Sequence, residues 1–132
     1  MLIQRGLAYL VIAGEEESVG SVLELTPRKA CAVFYGGRSK KTMGENNPPA
    51  IDLSTNIKCP VISFFGNEGQ NASPEDVNDY RRALTDAGVE HEFHRYDYAG
   101  HAFQSFNIEE KYSEDASEDA WTKVLDFFRV KI

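Results

Sequence analysis

The chain predicts an α/β fold, a mostly parallel sheet flanked by helices, on three observations. Ala30 to Tyr35 ("ACAVFY"), Pro60 to Phe65 ("PVISFF") and His91 to Tyr98 ("HEFHRYDY") are short β-rich runs, the first two almost continuously apolar. Apolar runs of that length fit strands buried on both faces, as in a parallel sheet. Each run is followed closely by glycine (Gly36-Gly37, Gly66 and Gly100), which lets a chain leave a strand tightly. A strong helix pattern separates the second run from the third, so strand, helix and strand form a right-handed βαβ unit.

The N-terminal quarter is ambiguous. Leu7 to Ala13 fits a strand or a helix end, "EEESVGSVLEL" fits a short helix start, and so short a run has no decisive period. Residues 38–56, with Asn46-Asn47 beside Pro48-Pro49, read as a loop excursion. The helix after the second strand has Ser73 as N-cap, Pro74 at N1 and Asp76 at N3, close to a capping box. Val77, Tyr80, Leu84 and Ala87 form its apolar stripe, and Gly88 is the C′ stop. A last helix is expected from about Asp115 to Phe128, burying Ala116, Ala120, Trp121, Val124, Phe127 and Phe128, with acids in its first turn. No repeat or low-complexity tract divides the chain, so residues 1–132 read as a single domain.

Bulk properties remove several functions. A net charge of −7 opposes a phosphate-backbone partner, which needs clustered Lys and Arg, so no nucleic-acid partner is expected. No apolar run approaches the roughly 18 residues of a membrane span. The start lacks the basic region and cleavage site of a signal peptide, and the expected compartment is the cytoplasm. Cys31 and Cys59 sit inside apolar runs and read as small buried hydrophobes. Without a CxxC pair, no zinc site is expected.

In open parallel sheets, catalytic groups gather at the carboxyl ends of strands. Here those ends carry Tyr35-Gly36-Gly37, Gly66-Asn67-Glu68-Gly69 and Gly100-His101. A histidine past one strand and an acid past the previous one fit a His–acid pair, in which the acid orients the imidazole and the imidazole takes a proton from a nucleophile. His101 is therefore the candidate base, beside the plainer reading of a core-edge histidine bonded to backbone. His91 and His94 are three apart on a strand, point to opposite faces and cannot share one metal. Trp121 reads as core, and the Ser73 hydroxyl as a cap.

"FYGG" after a strand, "IDLSTNIKCPVISFFG", "SPEDVNDYRRALTDAGVEHEFHRYDYAGHAF" and "YSEDASEDAWTKVLDFF" follow one another at compatible spacings. Together they resemble the C-terminal half of the dienelactone hydrolase family, over about residues 30–128. The resemblance implies a partial α/β-hydrolase fold and cleavage of a small ester or lactone. It also implies a triad of cysteine or serine, aspartate and histidine, with no metal or organic cofactor. Its chain order, nucleophile then acid then histidine, is that of the α/β hydrolases.

Carried over by position, His101 in "YAGHAF" falls on the family's catalytic histidine. The family's aspartate position is held by Gly69, and Glu68, one residue earlier with a longer arm, is the candidate acid. For the nucleophile, "RGLAYLVIAG" resembles the helix after the family's elbow, which places the reactive position near Leu2 or Ile3, where neither side chain can attack a carbonyl. A second alignment makes "LAYLVIA" the preceding strand and Ser18, in Ser18-Val19-Gly20, the nucleophile, with Glu16 at the elbow's first glycine.

The chain is shorter than the family's fold and resembles its C-terminal portion. The Ala30–Tyr35 strand would then lose its usual neighbour and offer an apolar edge. Compensation by the N-terminal segment, or a homodimer through the exposed edge, is expected. Two functions follow: a dienelactone hydrolase-like esterase or lactonase, or an incomplete relative that serves as a binding or assembly domain.

Overall fold

The computed structural model describes residues 2–5, 8–12, 29–34, 50–68 and 73–132. Five strands form one sheet: β1 (Leu2–Arg5), β2 (Ala8–Ile12), β3 (Ala30–Phe34), β4 (Val61–Gly66) and β5 (His91–Tyr96), side by side in that order. β1 is antiparallel to β2, and every later pair is parallel. Helix α1 (Pro74–Asp86) links β4 to β5, and helix α2 (Glu114–Lys131) closes the chain. Among the described residues no helix is long and apolar enough to cross a membrane.

Alternation along the buried strands sorts side chains into two cores. Cys31 and Val33 of β3 and Val61 and Phe65 of β4 join Val77, Tyr80 and Leu84 of α1. Ala30, Ala32 and Phe34, with Ile62 and Phe64, join Ala116, Ala120, Val124 and Phe127 of α2. Among the described residues one helix thus packs on each face of the sheet. Phe34 and Phe64 stack with centroids 4.7 Å apart, a geometry worth about 0.5–1.5 kcal/mol beyond the area it buries.

The caps of α1 are those the sequence predicts. Ser73 Oγ accepts from the Asp76 N–H at 3.2 Å. At the other end Gly88, with φ +71°, donates to Thr85 O, and Val89 donates to Leu84 O. That pair of bonds is a Schellman stop, and it requires the left-handed conformation glycine adopts freely.

Two open readings are decided, and two expectations need correction. Within the ambiguous Leu7–Ala13 run, Ala8–Ile12 is strand, β2, because it finds a parallel partner in β3. The N-terminal segment thus covers β3, one of the two compensations expected, and among the described residues the free edges of the sheet belong to β1 and β5. The excursion over 38–56 ends in a 3-10 helix at Ala50–Asn56, whose Ser54 hydroxyl donates to Ile51 O. Trp121 is not core. It is 40% exposed, with its ring tilted against Phe34 at 5.8 Å. Ala120 takes the central position of α2, and the next residue, about 100° round the helix, falls on the rim. "EEESVGSVLEL" and Gly36-Gly37 lie outside the described residues.

Candidate active site

Because β4 and β5 are parallel, their last residues, Gly66 and Tyr96, are register partners at one edge of the sheet. Phe34 of β3 and Ile12 of β2 end at the same edge, in register with each other. This is the edge where parallel sheets place their ligands. Past Gly66 the chain turns through Asn67 and Glu68, and past Tyr96 it turns through Asp97 and Tyr98 towards His101.

The two exits are bonded to one another. Asn67 N–H donates to Tyr96 O at 2.9 Å, and Glu68 N–H donates to Ala99 O at 3.1 Å. Gly66 makes this approach possible, since a Cβ there would lie 2.4 Å from Ala99 O. The turn bearing the candidate acid and the loop bearing the candidate base are therefore one unit. The Glu68 side chain is exposed, and His101 is half-buried.

The loop after His101 is anchored from below. Ala102 takes φ 61°, a left-handed conformation that costs a residue with a Cβ about 1–2 kcal/mol. Phe103, next in line, holds it there. Its ring is fully buried in the α2-side core, and its carbonyl accepts from Ser113 N–H at 2.8 Å and Ser117 Oγ at 3.2 Å. Tyr96 braces the end of β5 by donating its hydroxyl to Asp119 Oδ2 at 2.7 Å, while Lys123 holds the other carboxylate oxygen. The Lys123 hydrogen bond, then that from Tyr96, hold the Asp119 carboxyl below the usual range. Burial, then the bond to Asp119, push the Tyr96 phenol well above its ordinary value.

The cysteines sit at the opposite edge. Cys31 is the second residue of β3, in register with the first of β4, and Cys59 precedes β4 by two positions. Both thiols are free, burial pushes each up, Cys31 strongly, and both lie at the end of the sheet opposite the candidate site. His91 bonds the Val89 carbonyl at 2.8 Å, and His94 stacks on Phe64 beside Glu92. They occupy opposite faces of β5, one towards α1 and the other towards α2, as the strand period requires. Among the described residues no three His, Cys, Asp or Glu side chains are grouped to hold a metal.

Ser18 and Gly69 lie outside the described residues. Sequence reasoning did not find the side-chain cluster of Arg95, Asn67 and Asp97 beside the two exits. Its members are up to 30 positions apart (Asn67 to Asp97), and no local pattern marks them.

Comparison with known proteins agrees with this fold. The model of the dienelactone hydrolase family matches residues 19–131. An Escherichia coli (strain K12) protein named as a carboxymethylenebutenolidase is 28% identical over 104 residues, which span 78% of this chain and 38% of that protein. A Klebsiella pneumoniae crystal structure named as a dienelactone hydrolase superposes with a TM-score of 0.74 at 25% identity, covering 91% of this chain and 51% of that one. An acylaminoacyl peptidase of Pyrococcus horikoshii shares the fold at 16% identity, with a TM-score of 0.71 over 95% of this chain and 24% of its own. This chain thus spans about half or less of each of these relatives. The family match covers most of its length, and the chain belongs to the dienelactone hydrolase family.

Proposed function

We propose that this chain takes part in hydrolysis of a small ester or lactone, with His101 as general base, Glu68 as the acid that orients it and Ser18 as nucleophile. The observation behind this reading is the joining of the β4 and β5 exits, with the Glu68 N–H on the Ala99 carbonyl two residues before His101. The name of the Escherichia coli relative supports a lactone as substrate class. The strand character of β2 favours Ser18 over the Leu2–Ile3 alternative. The Leu2–Ile3 alignment needs a helix after the elbow in "RGLAYLVIAG", whereas Ala8–Ile12 is a strand, the element the Ser18 alignment places before its nucleophile.

In the proposed reaction Ser18 Oγ attacks the carbonyl carbon as its proton passes to the His101 imidazole. Collapse breaks the acyl C–O bond, and the imidazolium returns the proton to the departing oxygen. In a lactone that alcohol stays attached to the acyl group. Water, deprotonated by His101, then attacks the acyl-serine, and the serine oxygen recovers a proton. One water is consumed and one hydroxy acid is formed. Each step uses side chains alone and calls on no metal or organic cofactor.

Covalent labelling tests the assignment. A fluorophosphonate ester should modify Ser18, read by peptide mass, and His101→Ala should slow that labelling at least about 100-fold, within the range of general-base effects. Label on another serine would overturn the nucleophile, and equal labelling in His101→Ala the base. Glu68→Gln should slow it as well; an unchanged rate removes Glu68 as the acid. A homodimer, if formed through a sheet edge, uses β1 or β5, and sedimentation reads it.

A further inference from the structure

Beside the candidate site one guanidinium joins three parts of the fold. Arg95, next to last in β5, donates through Nε to Asn67 Oδ1 at 3.2 Å and through its terminal nitrogens to Asn78 Oδ1 and to Pro74 O, the latter at 3.0 Å. Asn67 belongs to the β4 exit, and Pro74 and Asn78 to the first turns of α1. Asn67 in turn donates through Nδ2 to Asp97 Oδ1, in the turn that leads to His101. With its oxygen held by Arg95, the Asn67 amide has one orientation, and its NH2 can serve only the Asp97 side.

We propose that Arg95 is a positioning residue of this site: through Asn67 and Asp97 it sets the Glu68 turn against the His101 loop. The proposal rests on the hydrolase reading for its catalytic meaning and on geometry alone for the clasp. The glycine contact at Gly66 allows the two exits to meet, but it is a packing relation without direction. To the two backbone bonds between the exits the side-chain chain Arg95–Asn67–Asp97 adds further directed bonds, each using a defined atom of a planar group. It also attaches both exits to α1, so that the turn moves with the helix. Lysine cannot replace this arginine, since one ammonium cannot meet three acceptors arranged around a planar fork.

The test compares wild type, Arg95→Met, Arg95→Lys, Asn67→Ala and the double Arg95→Met/Asn67→Ala variant. Amide exchange at Asn67 and Glu68 and the NMR titration of the His101 ring are followed in each. The clasp predicts exchange at Glu68 faster by at least about tenfold in Arg95→Met and Arg95→Lys, with amides in the middle of α1 and α2 unchanged. It also predicts a displaced His101 titration and a double variant no worse than either single one, as expected of residues acting as a unit. Unchanged exchange and titration in the variants would overturn it, as would a uniform rise across the chain, which marks general destabilisation. If Arg95→Met fails to fold, Asn67→Ala carries the same readouts and decides the question. With p-nitrophenyl acetate, kcat should fall in Arg95→Met and Arg95→Lys at unchanged KM. A wild type without hydrolysis would sink the hydrolase reading and leave the exchange and titration measurements to judge the clasp.

Discussion

Gly66 and Gly100 meet backbone to backbone: a Cβ on Gly66 would stand 2.3 Å from the Gly100 carbonyl oxygen, closer than any real Cβ contact. The obstacle is main chain, held by the Glu68–Ala99 bond, so it cannot rotate aside as a side chain would. Gly66→Ala should therefore cost about 1–3 kcal/mol, the scale of an overpacked interior, and should separate the two exits. Urea unfolding reads the first effect, and loss of hydrolysis greater than the loss of folded protein reads the second. A stability within error of wild type would show the exits to be loosely apposed.

Ala102 offers the opposite experiment. Its φ of 61° stores left-handed strain directly after His101. Ala102→Gly removes the Cβ penalty and adds unfolded-chain entropy worth about 0.4–1 kcal/mol, so a net gain on the order of 0.5 kcal/mol is expected. A rise in Tm with catalysis retained supports the observed loop. A fall in Tm would mean that the alanine methyl makes a contact worth more than the strain.

The thiols provide a control on the nucleophile. Cys31 is buried and Cys59 partly so, both at the sheet edge away from His101. In the folded protein Cys31 should react with Ellman's reagent only as fast as the chain opens, and Cys59 more slowly than a free thiol. Cys31→Ala and Cys59→Ala should leave any ester hydrolysis unchanged. A loss in either would transfer the nucleophile to the amino-terminal edge and contradict the site proposed above.

The Tyr96–Asp119–Lys123 group predicts a pH dependence at both extremes. Asp119 has a depressed carboxyl pKa in the folded state, so its contribution is present above the unfolded value of 3.8 and lost as pH falls below it. The carboxylate is 42% exposed, which limits the effect to under about 1 kcal/mol. Tyr96 has the opposite sign: its raised phenol contributes below the unfolded value of 10.0 and ceases to do so only in strong alkali. Asp119→Asn should flatten the acid limb of the stability curve, and Tyr96→Phe the alkaline limb. Limbs unchanged by these substitutions would show that the group does not brace β5.

What was legible in the sequence follows from the range of each interaction. The α1 caps act over three or four residues, so Ser73, Pro74 and Gly88 could be read directly. The buried strands declare themselves by continuous apolar character, and His101 by its place in the family motif. The Ala8–Ile12 strand could not be decided locally, because β3, some twenty positions on, determines it. Trp121 misled because helical spacing marks the apolar stripe but not its rim. The Arg95 cluster was invisible, since a charged residue on a strand and an asparagine in a turn look ordinary until the fold brings them together.

The most direct test of the account is the initial rate of p-nitrophenyl acetate hydrolysis by the wild-type chain beside His101→Ala. The joined exits of β4 and β5, with His101 as base, predict a wild-type rate well above background and a fall of roughly 10³-fold or more in the variant. Equal rates for the two proteins, at the level of buffer alone, would contradict it.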